Sequence, residues 1–484
     1  MSTVTSVETV SYPDDVKAIL ARAASPGGFE AFRRQVQAAG NCAHPVRLRG
    51  RSETVDASTG EITTAFDSET LPDGVVLKAC GNRRATRCLT CADAYRQDAR
   101  QLVAAGLQGG KGVPASVACN PSLFLTLTGP SFGAVHCANG KVACHPGSPT
   151  RHCQHGRPQS CFLRHHEQEE IVGSPLCPDC YRYERHILWN ALAPELWRRT
   201  GIYLRRKIAQ VAGIGKAELD SSLTISFVKV IEYQRRGAVH VHAVIRADGA
   251  DGAGSPVPSW LTPAVLLVAI RAAVAAVYVE FPTSAGERIA PRARWGELMD
   301  VSVIDGEKAA RRASRYAAKY VSKSTDVAGV LDRRISPHDL EGLEDKGLSD
   351  HHRRLVECAW RLGGDKELTH LRLRSWAHQL GYRGHCLSKS RSYSTTFAAL
   401  RRARAEHRAR QAPEVGTGPP PAGLVIKRWR FCGSGYKNAG DALLASAWAE
   451  SAIEQRLAAH GIPSPFEPPE QQDQDDIPLA LESR

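Results

Sequence analysis

Hydrophobic and polar residues alternate along residues 222–246, which is the period expected of β-strands with one buried face. The stretch "SLTISFVKVIEYQ" is followed by the polar turn "RRG" and then by "AVHVHAVIR", so the pattern predicts a β-hairpin. Two further runs rich in apolar and β-branched residues, 122–129 and 295–304, predict additional strands. The middle of the chain is therefore predicted to contain a β-sheet.

Helical patterns surround these strands. Residues 184–210 predict a long helix, and residues 263–281 are so strongly apolar that we expect a helix packed on a sheet. Residues 307–324 are rich in Ala, Arg and Lys and predict another helix. One helix is expected within residues 1–40, and residues 330–410 are mostly helical and basic.

The charge balance favours a polyanionic partner. The 484 residues include 63 Lys and Arg against 50 Asp and Glu, a formal net charge of +13, and nucleic acid is the first candidate partner. No run of about 18 apolar residues occurs, so we expect no transmembrane helix and no membrane partner. The first residues do not resemble a signal peptide, which predicts a cytoplasmic location in a bacterial cell.

Cysteines are concentrated in the first half of the chain. Eleven of the fourteen lie between Cys42 and Cys180, and in a reducing cytosol such clusters indicate metal sites rather than disulfides. A C-x₂-C pair supplies two thiolates from one turn, and a second pair completes a tetrahedral Zn²⁺ site. We predict two structural zinc sites, whose ligands are Cys42, Cys80, Cys88 and Cys91 in the first and Cys153, Cys161, Cys177 and Cys180 in the second.

Two points stay open in the second zinc group. His155 or His165 is an alternative ligand in place of a cysteine. Cys137 and Cys144 have no predicted partners. Neither group is predicted to be catalytic, because four protein ligands close the coordination shell of the metal.

The second strand of the hairpin carries two histidines one residue apart. Because alternate residues of a strand point to the same face, His240 and His242 present their imidazoles side by side. A turn centred on Gly237 would place Glu232 opposite His242 and Gln234 opposite His240. Two imidazoles, a carboxylate and an amide oxygen form part of a shell for a divalent cation, with positions left for substrate.

The helix at residues 307–324 carries two tyrosines one turn apart. Tyr316, Lys319, Tyr320 and Lys323 share one helical face. Two phenols and two cations on one stripe suit a phosphodiester, because a tyrosine hydroxyl is a nucleophile that nearby positive charge assists. Packing of the two rings beneath long lysine side chains is the structural alternative.

The motifs together resemble those of HUH endonucleases, in which U is a hydrophobic residue, of the rolling-circle replication initiator kind. "FLTLT" (124–128) resembles the structural first motif, "EYQRRGAVHVH" (232–242) the metal site, and "YAAKYVSK" (316–323) the two-tyrosine motif of phage gene A-type initiators. The resemblance implies an α+β fold: a ferredoxin-like or RRM-like nuclease with a central antiparallel sheet, zinc-binding cysteine-rich segments and a mainly helical C-terminal region.

The resemblance also implies the chemistry. In that family the histidines and one further polar ligand bind Mg²⁺ or Mn²⁺, and a tyrosine cleaves one DNA strand and stays joined to its new 5′ end. By position Tyr320 is the expected first nucleophile, and Tyr316 the tyrosine of a second, rejoining transfer. Lys319 is expected to position the tyrosine or the phosphate. The third metal ligand, Glu232 or Gln234, stays open.

Residues 40–440 are also similar in layout to larger initiators of actinobacterial plasmids and integrative elements. The composition and patterns along the chain predict an N-terminal helical segment (1–40), a cysteine-rich zinc-binding segment (41–118), the endonuclease domain (119–330) with a zinc-binding insertion (137–182), a basic helical DNA-binding region (331–410), and a linker, helix and disordered acidic tail (411–484). The N-terminal helical segment and the acidic tail do not contribute to the resemblance.

Expected partners are single-stranded and double-stranded origin DNA, for which the aromatic and basic residues of 375–411 suit base stacking and phosphate binding. No Walker motif is present, so a separate host helicase and the replication machinery are expected to act with the protein. The alternatives are a relaxase or transposase of the same superfamily and a non-enzymatic, zinc-containing DNA-binding regulator.

Overall fold

The computed structural model describes residues 13–458, apart from residues 139, 141, 283–291, 324–330, 332, 344, 346 and 412–422. The side chains of residues 320, 322, 323, 408–411, 423, 456 and 457 also lie outside the description. The predicted linker and acidic tail therefore fall largely outside the described residues. No described helix is long and apolar enough to span a lipid bilayer.

Helices and strands are numbered here in chain order over the described residues. The helices are α1 (Asp14–Ala24), α2 (Gly28–Ala38), α3 (Leu89–Gln108), α4 (Tyr183–Ala212), α5 (Lys216–Ser222), α6 (Pro263–Ala276), α7 (Gly306–Lys323), α8 (Pro337–Glu341), α9 (Asp350–Leu362), α10 (Leu373–Trp376), α11 (Phe397–Gln411) and α12 (Ala439–Ala458). The strands are β1 (Val46–Asp56), β2 (Ile62–Asp67), β3 (Val76–Lys78), β4 (Ser122–Leu127), β5 (Leu223–Tyr233), β6 (Val239–Gly249), β7 (Val279–Glu280), β8 (Arg292–Ala293), β9 (Met299–Val303), β10 (Leu387–Lys389) and β11 (Gly423–Ser434).

The chain forms two compact units, a terminal unit of residues 1–92 and 414–484 and a central unit of residues 93–413. In the terminal unit β11 pairs antiparallel with the whole length of β1, which also pairs with β2 and β3. A small core contains Phe32, Val36 and Leu77, with Trp448 of α12 packed against it. Described residues from the early part of the chain, in α2, β1 and β3, therefore fold together with β11 and α12 from its later part.

The central unit contains a five-stranded antiparallel sheet in the order β10-β5-β6-β4-β9. Alternate residues of the three central strands, β5, β6 and β4, enter different cores. Leu123, Leu125 and Leu127 of β4 enter a large core that also includes residues of α4 and α6. Phe124 of β4 enters a second core, with residues of α3 and α7. The sheet is therefore covered by helices on both faces. The mixed α/β architecture and the central antiparallel sheet are as expected, while the ferredoxin-like or RRM-like nuclease fold stays a prediction.

Particular residues fix where α6 begins and which side of α7 is buried. Thr262 caps α6 by accepting a hydrogen bond from the backbone N–H of Val265, and Pro263 occupies the first turn, where it removes no helical bond. Small residues at helical spacing bury one side of α7, namely Ala310, Ala313, Ser314, Ala317 and Ala318. These small side chains let α7 lie close to the sheet and leave its long basic side chains on the outer side.

The hairpin register differs from the predicted one. Tyr233 pairs with Val239, so Glu232 lies opposite His240, and the expected pairs of Glu232 with His242 and of Gln234 with His240 are wrong. Gly237, at φ +84°, ends a three-residue loop in the left-handed region and is not the centre of the turn. The register moves by an even number of residues, so Glu232 stays on the face that carries the histidines.

Candidate functional site

Three side chains of the β5–β6 hairpin converge on the sheet face covered by α7. Ligand atoms of Glu232, His240 and His242 all lie within 4.8 Å of one another. Nε2 of His242 is 3.3 Å from Oε2 of Glu232, close to the separation of about 3 Å between neighbouring ligands of an octahedral Mg²⁺ ion. The centroids of the two imidazole rings, of His240 and His242, are 4.5 Å apart. The three groups therefore fit one small divalent cation.

Burial keeps both imidazoles neutral. It lowers the pKa of His240 to about 3, with the neighbouring His242 as a further cause, and lowers the pKa of His242 to about 4. Among the described residues, Nε2 of His240 is buried and has no hydrogen-bond partner. A buried nitrogen with a lone pair and no donor is costly unless a ligand occupies it, which is a second reason why the site fits a metal.

Strand β4, which contains most of the first motif, "FLTLT", contacts one of the histidines directly. Thr126 pairs with His242 across the sheet, and its Oγ1 lies 3.2 Å from Nδ1 of that histidine. When Nδ1–H donates to this hydroxyl, Nε2 is left to face Glu232. Asp300 of β9 pairs with Thr126 on the same row and is exposed. Neither residue was predicted to belong to the site; the alternation within "FLTLT", which puts Thr126 on the face opposite to the leucines, was the available signal.

Helix α7 lies across the ligands. The ring of Tyr316 is half-buried and stands edge-on to His242 and to Phe124, with 5.3 Å between ring centroids in each case. Lys319 is exposed on the same helix. Tyr320 is one turn further along α7, and its side chain, like that of Lys323, lies outside the described residues. The structure thus brings Tyr316 next to the histidine pair.

The outer side of α7 forms a basic groove with a volume of about 460 Å³. It is lined by Lys308, Arg311, Arg312, Arg315, Tyr316 and Lys319. Arg311 forms an exposed ion pair with Glu307, 3.3 Å apart, which is worth little in water. The groove therefore presents excess positive charge beside one of the two tyrosines, as the binding of a phosphate backbone requires.

Gln234 does not join the histidines. It lies at the hairpin turn, where its Oε1 accepts a hydrogen bond of 2.9 Å from Nε of Arg236. The guanidinium of Arg236 also donates to the carbonyl oxygens of Gly129 and Pro130. Of the two open choices for the third ligand, the structure places Glu232 beside the imidazoles and Gln234 in a network that holds the turn.

The first cysteine group comes together in the terminal unit. Sγ atoms of Cys42, Cys80, Cys88 and Cys91 lie within 4.8 Å of one another. The Cys88–Cys42 and Cys80–Cys91 sulfur pairs are 3.8 and 3.7 Å apart, and ligands 2.3 Å from a tetrahedral Zn²⁺ ion would be about 3.8 Å apart. Backbone N–H groups of Cys80 and Ala43 point at Sγ of Cys42 and Cys88, which favours thiolates.

The second cysteine group has a different membership from the predicted one. Cys153, Cys177 and Cys180 assemble with His155, the histidine named above as an alternative ligand. Nδ1 of His155 lies 3.3 Å from Sγ of Cys180 and 3.7 Å from Sγ of Cys177. These distances also fit the edges of a zinc tetrahedron. Cys161 lies elsewhere, with His136, Cys144 and His165.

Comparison with known proteins identifies the family. Residues 28–450 match the family model described as RepSA, replication initiator protein, pSAM2. A replication initiator protein from Streptomyces ambofaciens is 39% identical over 443 residues, covering 89% of this chain and 92% of the relative. No solved structure matches the chain. The match extends over both compact units, and the chain belongs to the RepSA family of replication initiator proteins.

Proposed function

We propose that this replication initiator nicks one strand of its origin DNA by metal-dependent tyrosine transesterification, and later rejoins the strand, as in rolling-circle replication. The observation that supports the proposal is the placement of Glu232, His240 and His242 on one sheet face, directly beneath the helix that carries Tyr316 and Tyr320. A replication initiator must engage its origin, and the basic groove along α7 supplies the charge for this contact.

Each group then has a task. Glu232, His240 and His242 hold Mg²⁺ or Mn²⁺, which when bound withdraws electron density from the scissile phosphate. The basic side chains of the groove hold the backbone of single-stranded DNA, and Lys319 positions the phosphate or the attacking phenol. The tyrosine hydroxyl loses its proton as its oxygen forms a bond to phosphorus, the bond from phosphorus to the 3′ oxygen breaks, and the 3′ oxygen takes up a proton, so that no net proton is consumed.

The two tyrosines divide the work. Tyr320 makes the first attack and remains joined to the 5′ phosphate. Tyr316 makes the second attack, on the regenerated origin strand, and this attack frees a 3′ hydroxyl. That hydroxyl attacks the phosphorus joined to Tyr320, which rejoins the strand and releases the phenol of Tyr320. The bond between phosphate and phenol preserves the energy of the original phosphodiester, so rejoining needs no nucleotide cofactor. The edge-on contact of Tyr316 with His242 supports a role for this ring next to the metal ligands.

The remaining parts support binding and assembly. The cysteine groups at Cys42 and at Cys153 are structural zinc sites that hold segments with little apolar core of their own. Double-stranded origin DNA is bound by the basic helical region at residues 331–410. Unwinding is supplied by a separate host helicase working with the replication machinery, since the chain has no Walker motif.

The test is a covalent adduct. Purified protein is incubated with Mn²⁺ or Mg²⁺ and labelled single-stranded oligonucleotides that tile the origin, and label migrating with protein is sought on a denaturing gel. We expect an adduct with the wild type and with Tyr203→Phe, a matched control at a half-buried position on α4. Tyr320→Phe and His240→Ala should abolish it, and Tyr316→Phe should retain cleavage but lose rejoining.

Two outcomes would change the assignment. Adduct in Tyr320→Phe together with its loss in Tyr316→Phe would exchange the roles of the tyrosines. Absence of adduct on every oligonucleotide, together with tight binding to duplex origin DNA, would contradict the nuclease and favour a zinc-containing DNA-binding regulator.

A further inference from the structure

Four residues between β4 and α4 come together apart from the two observed cysteine groups, and they include Cys161, which was predicted to belong to the second. Nitrogen and sulfur atoms of His136, Cys144, Cys161 and His165 all lie within 4.8 Å of one another. Three of these residues are buried and His136 is half-buried. We propose that they form a third structural zinc centre with two cysteine and two histidine ligands. The inference goes beyond the nicking reaction and does not depend on it.

The distances between the donor atoms fit a tetrahedron. Zn–N bonds of about 2.1 Å and Zn–S bonds of about 2.3 Å imply edges of about 3.4 Å between two nitrogens and about 3.6 Å between nitrogen and sulfur. Nδ1 of His136 is 3.2 Å from Nε2 of His165, and that nitrogen is 3.4 Å from Sγ of Cys161. Sγ of Cys144 is 3.8 Å from Nδ1 of His136.

A carboxylate orients one of the histidines. Nδ1 of His165 lies 2.8 Å from Oε2 of Glu169, and Oε1 of Glu169 accepts a hydrogen bond of 2.6 Å from the backbone N–H of His166. A proton on Nδ1 leaves the lone pair of Nε2 directed at the other three donors. A carboxylate behind a histidine ligand is the usual arrangement at protein zinc sites, so Glu169 is an independent indication of a metal.

The backbone brings the two cysteines together. His145 and Cys161 exchange both of their backbone hydrogen bonds, at 2.8 Å each, and the N–H of Cys144 donates to the carbonyl of Leu163. The side chains of Phe162 and Leu163 beside this bridge are more than half exposed, at 54% and 65%. Since the local apolar residues are not buried, a metal cross-link supplies the stability that a core would otherwise provide.

A second grouping shares one ligand with the proposed centre. Cys137, Cys144 and His145 also lie close together, with Nδ1 of His145 3.1 Å from Sγ of Cys144. This set has three donors, and the thiol of Cys137 donates to the carbonyl of Cys144 at 3.1 Å. The set with His136 and His165 has four donors and a carboxylate behind one of them, so it is the better zinc site.

The centre lies near the catalytic hairpin. The carbonyl oxygen of Glu169 accepts a hydrogen bond of 3.1 Å from Nη1 of Arg235, in the turn between β5 and β6. The backbone of Gly173 also packs on this turn: a Cβ there would be 2.5 Å from the carbonyl carbon of Arg235. A zinc ion at the proposed centre would therefore hold the segment that contacts the turn.

The first test needs no substitution. Zinc in the purified full-length protein is measured per chain, and X-ray absorption at the zinc edge gives the average ligand set. Three centres provide nine sulfur and three nitrogen ligands, whereas the other two centres alone provide seven sulfurs and one nitrogen. We expect three zinc ions per chain and an average of three sulfurs and one nitrogen per ion.

Substitutions then locate the ion. Cys161→Ser and His136→Ala should each lower the zinc content by one equivalent relative to the wild type, whatever the loading of the other centres. Cys137→Ser, which belongs only to the competing set, and Cys119→Ser, an exposed cysteine outside all the clusters, should retain the full content. The same content in Cys161→Ser as in the wild type, or a wild-type ligand average of seven sulfurs to one nitrogen, would overturn the proposal.

Discussion

The hydroxyl of Thr126 offers a sharp test of how the candidate metal site is built. Thr126→Val removes the hydroxyl and keeps the shape of the side chain, so the sheet pairing between β4 and β6 is preserved. It deletes the 3.2 Å contact with Nδ1 of His242, whose side chain is only 2% exposed and has no access to compensating water. Nδ1 would then lose the hydroxyl contact that favours the tautomer with the Nε2 lone pair directed at Glu232.

The size of the effect follows from the role of the contact. Loss of a group that orients a metal-bound histidine weakens metal binding by about 10–100-fold. This factor corresponds to about 1.4–2.7 kcal/mol, within the cost of leaving a buried polar group without its partner. We expect the Mn²⁺ concentration for half-maximal adduct formation to rise by that factor, while the rate at saturating Mn²⁺ changes little.

Two measurements check this expectation. One is the Mn²⁺ dependence of adduct formation, and the other is direct Mn²⁺ binding, followed by the loss of the electron paramagnetic resonance signal of the free ion. Thr128→Val is the matched control, because the hydroxyl of Thr128 donates to the carbonyl of Leu298 and not to a ligand. Equal Mn²⁺ affinity in wild type and Thr126→Val would refute the assigned role of Thr126.

Three further predictions concern stability and DNA binding. Asp248→Ala should lower the free energy of unfolding in urea by about 3–5 kcal/mol, because it leaves Arg246 fully buried without its carboxylate; a loss below 1 kcal/mol would contradict this. Gly237→Ala should cost about 1–3 kcal/mol by the same assay, since φ is +84° and two leucine carbons lie 2.8 Å from the new Cβ; unchanged stability would rule out the assigned turn. Arg315→Gln should weaken the binding of single-stranded DNA and lower, by about 0.7, the magnitude of the slope of log K against log salt concentration. Fluorescence anisotropy measures both, and Lys216→Gln on α5, outside the groove, should leave the slope unchanged.

Short-range patterns in the sequence carry much of the candidate site. The alternation of residues 222–246 predicted the hairpin, and the helical spacing of residues 307–324 predicted α7. Because side-chain direction follows from strand and helix periodicity alone, the sequence is enough to place His240 and His242 on one face. Their use as metal ligands stays a prediction.

The register of the hairpin could not be predicted from these short-range patterns. The letters "RRG" are compatible with more than one turn, and only the left-handed conformation of Gly237 at the end of the loop decides which residues pair. Glu232 was kept on the correct face because the shift was even. Gln234 does not lie with the histidines, since it is part of the loop, where its Oε1 accepts a hydrogen bond from Nε of Arg236.

The pairing of strands that lie far apart in the sequence could not be predicted from the sequence. Residues at the start of β11 follow the predicted linker, and nothing in their pattern indicates that they pair with β1 from the other end of the chain. The short strand β10 likewise lies in a region expected to be mainly helical, and it forms through pairing with β5. Strand partners are chosen by packing and closure of the whole unit, and local propensity does not contain that information.

The cysteine groups show most clearly which features follow from the sequence and which depend on the tertiary structure. Residue type and C-x₂-C spacing determined that thiolates are gathered in pairs, and the first group of four follows from these pairs. Membership of the second was decided by folding: Cys161 joins His136 and Cys144, while His155 completes the set with Cys153. Sequence by itself therefore determined the residue types that are gathered, the local elements and the faces on which their side chains lie. Tertiary structure decided which distant groups meet, because irregular segments without periodicity place their side chains only through the contacts they make after folding.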